Sequence, residues 1–387
     1  MEFWLISVPG EKTPEQAFQK LEASTNRELS SNFRFHVPEL KVGTLDELVR
    51  LSDELAKLDQ YCEGVVQKLG SYLAEIMENS ADVIRENLKA NDKDLATYLM
   101  KFSWDSAKYP VKYSLRNLTE IISKQMTTIE GELKTKASTY NSLKNNLESL
   151  RRKQTGSLLT RNLHDLVKRE HFVIGSDYLT TLVVVVAKGH HGDWMVKYQE
   201  LNEYVVPGSS QMIYEDQEAC LVTVTLFHKV VDEFKHKCRE HKFVVRDFTY
   251  DEVEMEKSKN ELKKLTTDKE KQYKPLFMWL KVNFSEAFTA WTHVKALRIF
   301  VESVLRYGLP VNFQAILMCP VKGKQKRLRD TLQQLYAHLD SSGSDMATGD
   351  FDVPGAVMPG LGQEYYPYVL NKIVFEYPGS SSRAVDN

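Results

Sequence analysis

Residues Leu115–Leu150 read LRNLTEIISKQMTTIEGELKTKASTYNSLKNNLESL, and the architecture follows from this stretch. Leu115, Leu118, Ile122, Met126, Ile129, Leu133, Ala137, Tyr140, Leu143, Leu147 and Leu150 recur at steps of three and four, with no proline and one glycine between them. That spacing predicts a long amphipathic helix able to pair as a coiled coil. Between Lys112 and Lys153, nine basic residues face four acidic ones. A counterpart lies downstream, where Asp251–Lys274 carries seven acidic and seven basic residues around a thin seam of Met255, Leu262 and Leu265. A helix so polar is held by opposite-sign neighbours and by one partner stripe. The two segments are predicted to pair antiparallel as a neck, residues 140–160 and 251–275.

What lies between them reads as a small α/β head domain, residues 156–250. Tyr178–Lys188, with the run Val183-Val184-Val185-Val186, is a buried strand, and Leu221–Phe227 and Phe243–Phe248 are two more. Asp193–Leu201 and Val230–Arg239 read as helices. What lies outside the neck is predicted to close on itself as a discontinuous foot domain, residues 1–150 and 276–378. Phe3–Val8 alternates as a strand and ends at Pro9-Gly10. A helix starts near Pro14, and Phe33–Val37 is a second strand stopped by Pro38. A long helix runs from Thr44 to about Met77, opened by a capping box of Thr44 and Glu47. Leu280, Phe284, Phe288, Trp291, Val294, Leu297, Val301 and Leu305 give a broad buried face. Strands at Asn312–Cys319 and Tyr368–Phe375 flank a helix at Arg327–Leu339, and the last strand shares a sheet with the first. The fold class is α+β: an elongated two-domain protein with a discontinuous foot of mixed helices and a small antiparallel sheet, and a small α/β head on an antiparallel helical neck. Ser341–Gly362 reads as a loop, and Gly379–Asn387 as a disordered tail or a cloning scar.

Composition narrows the function classes. The chain has 387 residues, 42% hydrophobic and 27% charged, with a net charge of -2, an ordinary globular balance without the basic excess of a dedicated nucleic-acid binder. Cys62, Cys220, Cys238 and Cys319 form no Cys-x-x-Cys pair and read as reduced thiols of a cytoplasmic protein. The apolar start lacks a basic flank, and Leu179–Ala187 is too short to span a bilayer.

Candidate chemistry is sparse. Val8-Pro9-Gly10-Glu11-Lys12-Thr13 ends like a phosphate loop but lacks the glycine before the lysine, and Glu11 would repel a phosphate. His228, His236, Cys238 and His241 cluster in sequence without zinc-ligand spacing, as do His190 and His191 beside Trp194. The sequence nominates no catalytic residue, cofactor site or metal site. Two features stand out as candidate interfaces. Lys322, Lys324, Lys326, Arg327 and Arg329 place five positive charges in eight residues, suited to a solvated helix start or to docking an acidic partner. Phe248 and Tyr250, two apart on an extended segment, share one face, either for packing or for a partner.

Several blocks occur together in one known family. They include Lys41-Val42-Gly43-Thr44-Leu45, Leu51-Ser52-Asp53-Glu54-Leu55, Gly156-Ser157-Leu158-Leu159-Thr160-Arg161 and Lys242-Phe243-Val244-Val245-Arg246-Asp247-Phe248. The longest runs from Trp279-Leu280-Lys281-Val282-Asn283-Phe284-Ser285-Glu286-Ala287-Phe288 to Leu305-Arg306-Tyr307-Gly308-Leu309-Pro310-Val311-Asn312-Phe313, and Tyr365-Tyr366-Pro367-Tyr368-Val369 closes the match. From Phe3 to about Tyr377 the chain resembles the C subunit of the eukaryotic vacuolar-type proton-pumping ATPase, the V-ATPase. The resemblance implies a non-catalytic stator component of the peripheral cytosolic sector. Its implied partners are the peripheral-stalk E and G subunits and the cytosolic N-terminal domain of the membrane-bound a subunit, with reversible release from the pump and a link to actin. Contact with endomembranes or plasma membrane would then come through the complex. The competing expectation is a cytoskeletal or trafficking adaptor acting through coiled-coil interactions.

Overall fold

A computed structural model describes residues 1–25, 28–77, 81–339 and 366–378. In chain order the elements are β1 (Glu2–Pro9), α1 (Pro14–Thr25), β2 (Ser30–Arg34), α2 (Leu45–Met77), α3 (Ala81–Asn87), β3 (Lys89–Ala90), β4 (Lys93–Asp94), α4 (Leu95–Met100) and α5 (Leu115–Thr155). There follow β5 (Leu179–Ala187), α6 (His191–Lys197), β6 (Gln211–Glu215), β7 (Ala219–Phe227), α7 (Val231–Glu240) and β8 (Val244–Arg246). The last are α8 (Glu252–Tyr307), β9 (Phe313–Pro320), α9 (Gln325–Tyr336) and β10 (Val369–Val374). The fold is α+β, with small antiparallel sheets and long helices. It divides into two compact units, one of Met1–Lys136 with Pro275–Asn387 and one of Ala137–Lys274. The loop expected at Ser341–Gly362 and the tail at Gly379–Asn387 lie outside the described residues.

The first unit is organised on a sheet of order β10-β1-β9-β2, antiparallel throughout. β1 is central, so both its faces are covered and Phe3, Trp4, Leu5 and Ile6 are all buried. Trp4, Ile6 and Val8 face Ala17 and Leu21 of α1 and Leu328, Leu332 and Tyr336 of α9. On the other face, Ser303 of α8 bonds the Ser7 hydroxyl at 2.6 Å, and the Tyr307 hydroxyl donates to the Ser7 carbonyl at 2.6 Å. The strand expected at Phe33–Val37 begins earlier, because its register is set from Ser30 opposite Pro320. Phe35 still donates to the Ala315 carbonyl at 3.1 Å, and the chain then leaves the ladder before Pro38.

The expected capping box forms at the start of α2. The Thr44 hydroxyl accepts from the Glu47 N–H at 3.4 Å, and the Glu47 carboxylate accepts from the Thr44 N–H at 3.2 Å. Thr44→Ala is expected to cost about 1 kcal/mol of stability, read as a shift in the urea midpoint; no shift would mean that water caps the helix equally well.

The second unit holds a sheet of order β6-β7-β5-β8, also antiparallel. Val184 and Val186 face Trp194, Tyr198, Phe234 and Cys238, while Val183 and Val185 face Leu158, Leu163 and Val167. Coverage on both faces explains the uninterrupted valine run. β6 was not legible, because it is an edge strand with a bulge between Met212 and Tyr214 and both side chains exposed. The helix expected at Asp193–Leu201 starts at His191 and ends at Lys197, after which single turns carry the chain to Leu201.

α5 and α8 each contribute to both units, whereas α2 lies within the first. In α5 the predicted stripe is the buried one: Leu115, Leu118, Ile122, Met126, Ile129 and Leu133 in the first unit, Tyr140 and Leu147 in the second. α8 joins two segments of opposite character into one helix of 56 residues, with Pro275 inside it. Before Pro275 no side chain is fully buried and Met255, Leu262 and Leu265 are half-buried; after it, residues from Leu276 to Val304 supply much of the core. Pro275 offers no N–H to the Lys271 carbonyl, but both residues are exposed, so water can satisfy that group.

Candidate interaction surfaces

The turn that resembles a phosphate loop is tied into the fold at Gly10, Glu11 and Thr13. Gly10 N–H donates to the Asn312 carbonyl at 3.1 Å, and a Cβ at Gly10 would stand 1.9 Å from Asn312 Oδ1. A side chain at Gly10 would have to displace the Asn312 amide. The Glu11 carboxylate pairs with Lys20 at 2.6 Å, and the Thr13 hydroxyl accepts from the Gln16 N–H at the start of α1.

The histidine and cysteine cluster is dispersed by helix geometry. His236 faces Glu240 at 3.4 Å on the surface, whereas Cys238 is buried in the core with its thiol pushed up to about 12 by burial. His190 pairs locally with Asp193 at 3.1 Å. Among the described residues, no group of three or more His, Cys, Asp or Glu side chains could hold a metal ion.

Two polar centres in the first unit were not nominated by sequence pattern. The first is an ion cluster beneath the sheet. Asp59 of α2, 3% exposed, accepts from Trp291 Nε1 at 2.7 Å, Lys295 Nζ at 2.8 Å and Arg298 at 2.5 Å. Lys295 also donates to the Lys372 carbonyl of β10 at 2.7 Å, and Arg298 pairs with Glu302 at 2.9 Å. Two acids and two bases thus balance in charge while joining α2, α8 and β10. The signal was present in the sequence: Asp59 interrupts a leucine stripe, and Lys295 stands amid Trp291, Val294 and Leu297.

The second centre is His293, fully buried at the base of a cleft of about 330 Å³ that is also lined by Lys93, Tyr98, Lys101, Trp104 and Asp105. Its Nδ1–H donates to the Thr289 carbonyl at 2.8 Å, and Nε2 accepts from the Asp105 N–H at 3.0 Å. Phe102, Trp104 and Tyr109 surround the ring at centroid distances of 5.1, 4.8 and 4.6 Å. Burial pulls the imidazole down to about 4. With both nitrogens engaged, this histidine is a structural post rather than a proton carrier.

Of the sequence-nominated residues, Phe248 and Tyr250 do come together. Both rings pack on Phe172, at 5.6 and 5.4 Å, half-buried over Leu158, Leu163 and Val167 in the second unit. Nearby, Arg246 donates to the carbonyls of Leu158 and Arg161 at 2.7 and 3.1 Å, which pins that loop. Lys322, Lys324, Lys326 and Arg327 belong to the first unit and are exposed in the turn and first helical residues of α9. Arg329 differs from them: it is half-buried, with its guanidinium 5.9 Å above the Tyr366 ring.

Of the sequence-nominated residues, four cations thus stay exposed in the first unit, while Phe248 and Tyr250 pack against the core of the second. Comparison with known proteins gives the particular class. The sequence matches the family of V-ATPase C subunits over residues 3–369, and the chain belongs to that family. It is 58% identical to the C 1 subunit of the V-type proton ATPase of Xenopus laevis over 374 residues, covering 96% of this chain and 97% of the relative. The Bos taurus protein of the same name is 57% identical over 374 residues with the same coverage, and the C 1-A subunit of Danio rerio is 57% identical over 377 residues, covering 96% and 97%. The family is that of a non-catalytic component of a proton-transporting ATPase complex. No described helix is long and apolar enough to cross a membrane.

Proposed function

We propose that this chain is a stator component of the peripheral, cytosolic sector of a vacuolar-type proton pump. In this reading it links peripheral stalks built from the E and G subunits to the cytosolic N-terminal domain of the membrane-bound a subunit, and it leaves when the pump disassembles reversibly. The observation that carries the reading is the family match across almost the whole chain. The division into two compact units, each with its own core, supports it by giving two separate attachment surfaces.

Interfaces of moderate strength suit a link that must hold against rotary torque yet release on demand. Two such contacts on one molecule reinforce each other, because the second forms at a high effective concentration; the gain is on the order of 10²–10⁴ in affinity. The full chain is therefore expected to bind an E–G heterodimer and the N-terminal domain of the membrane-bound a subunit only moderately when each is offered alone, and far more tightly when both are tethered together. It is also expected to restore ATP-driven acidification to pumps stripped of their C subunit. The isolated chain should run as a monomer and hydrolyse no ATP. A stable self-dimer that fails to capture E–G would sink the stator reading and favour a coiled-coil adaptor.

A further inference from the structure

We propose that Lys322, Lys324, Lys326 and Arg327 form a contact surface for an anionic lipid bilayer. The inference extends the reading of the chain as part of a membrane pump, since that reading puts a bilayer within reach. Its basis is the patch itself.

Several basic side chains elsewhere have acidic partners: Lys20 with Glu11 at 2.6 Å, Lys68 with Glu130 at 2.5 Å, Lys235 with Asp247 at 2.7 Å. Among the described residues none of the four patch cations has one, and all four are exposed. α9 has no acidic residue in its first turn, and Gly323, at φ +82°, turns the chain so that Lys322 and Lys324 precede the helix directly. One exposed acid, Asp330, follows a turn further along α9, so residues 322–330 carry five positive charges against one negative. Their mounting is firm, because Leu328, Leu332 and Tyr336 anchor α9 in the sheet core.

The composition of the patch favours a diffuse anionic surface over a shaped protein partner. Protein interfaces concentrate their affinity in aromatic and arginine anchors seated in pockets. Here three of the four cations are lysines, compact and strongly hydrated point charges. Their immediate neighbours, Pro320, Val321, Gly323 and Gln325, include no aromatic ring. Clustered Lys and Arg side chains near a membrane attract acidic headgroups, and each such residue strengthens adsorption about fivefold.

Vesicle flotation of the full chain tests this. Wild type is expected to float with phosphatidylcholine vesicles containing about 30 mol% phosphatidylserine and to stay down with phosphatidylcholine alone. The combined variant K322A/K324A/K326A/R327A should lose at least about a hundredfold in vesicle affinity. Raising the salt to about 1 M, where screening shortens to about 3 Å, should abolish the wild-type signal. The control R151A/R152A/K153A, which removes exposed charges from the last turn of α5 in the other unit, should float as wild type. Equal binding by the four-residue variant, or equal loss in the control, would overturn the proposal. So would a wild type that ignores acidic vesicles while the four-residue variant fails to join the rest of the pump, an outcome that assigns the patch to an acidic protein. A chain that floats as expected but does not restore acidification would instead overturn the stator reading and leave the lipid surface standing.

Discussion

Asp59→Ala is expected to lower the unfolding free energy by about 3–5 kcal/mol, a large part of the stability of an ordinary domain. The loss comes less from the attraction removed than from what is left behind. Lys295 is 3% exposed and would retain the Lys372 carbonyl and the face of the Trp291 ring but no counter-charge, and the indole N–H of Trp291 would lose its acceptor. Arg298 would keep Glu302. Replacing both ends of the buried pair, Asp59→Leu with Lys295→Met, should recover more than half of the loss, because no uncompensated charge then remains inside. Urea unfolding followed by tryptophan fluorescence reads both variants, with Trp291 lying at the cluster itself. A loss below about 1 kcal/mol for Asp59→Ala would mean that water enters and solvates Lys295.

The second large effect is on pH. His293 is held neutral in the folded chain down to about 4, by burial, whereas an unfolded histidine takes up its proton near 6.5. Between those values the unfolded state binds the proton and the native state does not. Stability is therefore complete above about pH 6.5 and falls as the pH drops toward 4, by about 3 kcal/mol in all. Glu130 acts further into acid. Its carboxylate is held below its ordinary value by hydrogen bonds from Lys68 and Tyr61, so its contribution fades only as the pH falls through that lowered range. Urea midpoints at pH 7, 6 and 5 should trace the His293 slope. His293→Phe, which keeps a ring among Phe102, Trp104 and Tyr109, should be less stable at pH 7, because the Asp105 N–H loses its acceptor, but should show a flatter slope. An unchanged slope in that variant would place the acid-sensitive group elsewhere.

Much of the fold is written in local pattern. The α5 stripe, the valine run of β5, the Thr44–Glu47 cap and the change of character along α8 are all properties of residues within a few turns of one another. Periodicity reads such features directly, since helices and strands sort apolar from polar residues at fixed spacing. β2 and β6 are harder to read: both are edge strands whose own residues are largely polar or exposed, and β6 also carries a bulge. Of the candidate interface, the sequence supplied the charges of Lys322–Arg329 and the shared face of Phe248 and Tyr250. Only the packing separated Arg329, laid against Tyr366, from the four cations left in solvent.

By itself, then, the sequence determined the family, the α+β class and the long helices, because those rest on residue identity and local spacing. Tertiary structure alone decided which charges are inside. Asp59 and Lys295 are 236 residues apart, and Asp105 and His293 are 188 apart, so no window of sequence contains either pair. A buried charge is tolerable only when its partner arrives in the folded state, and a histidine loses its ordinary pKa only when distant rings exclude water from it.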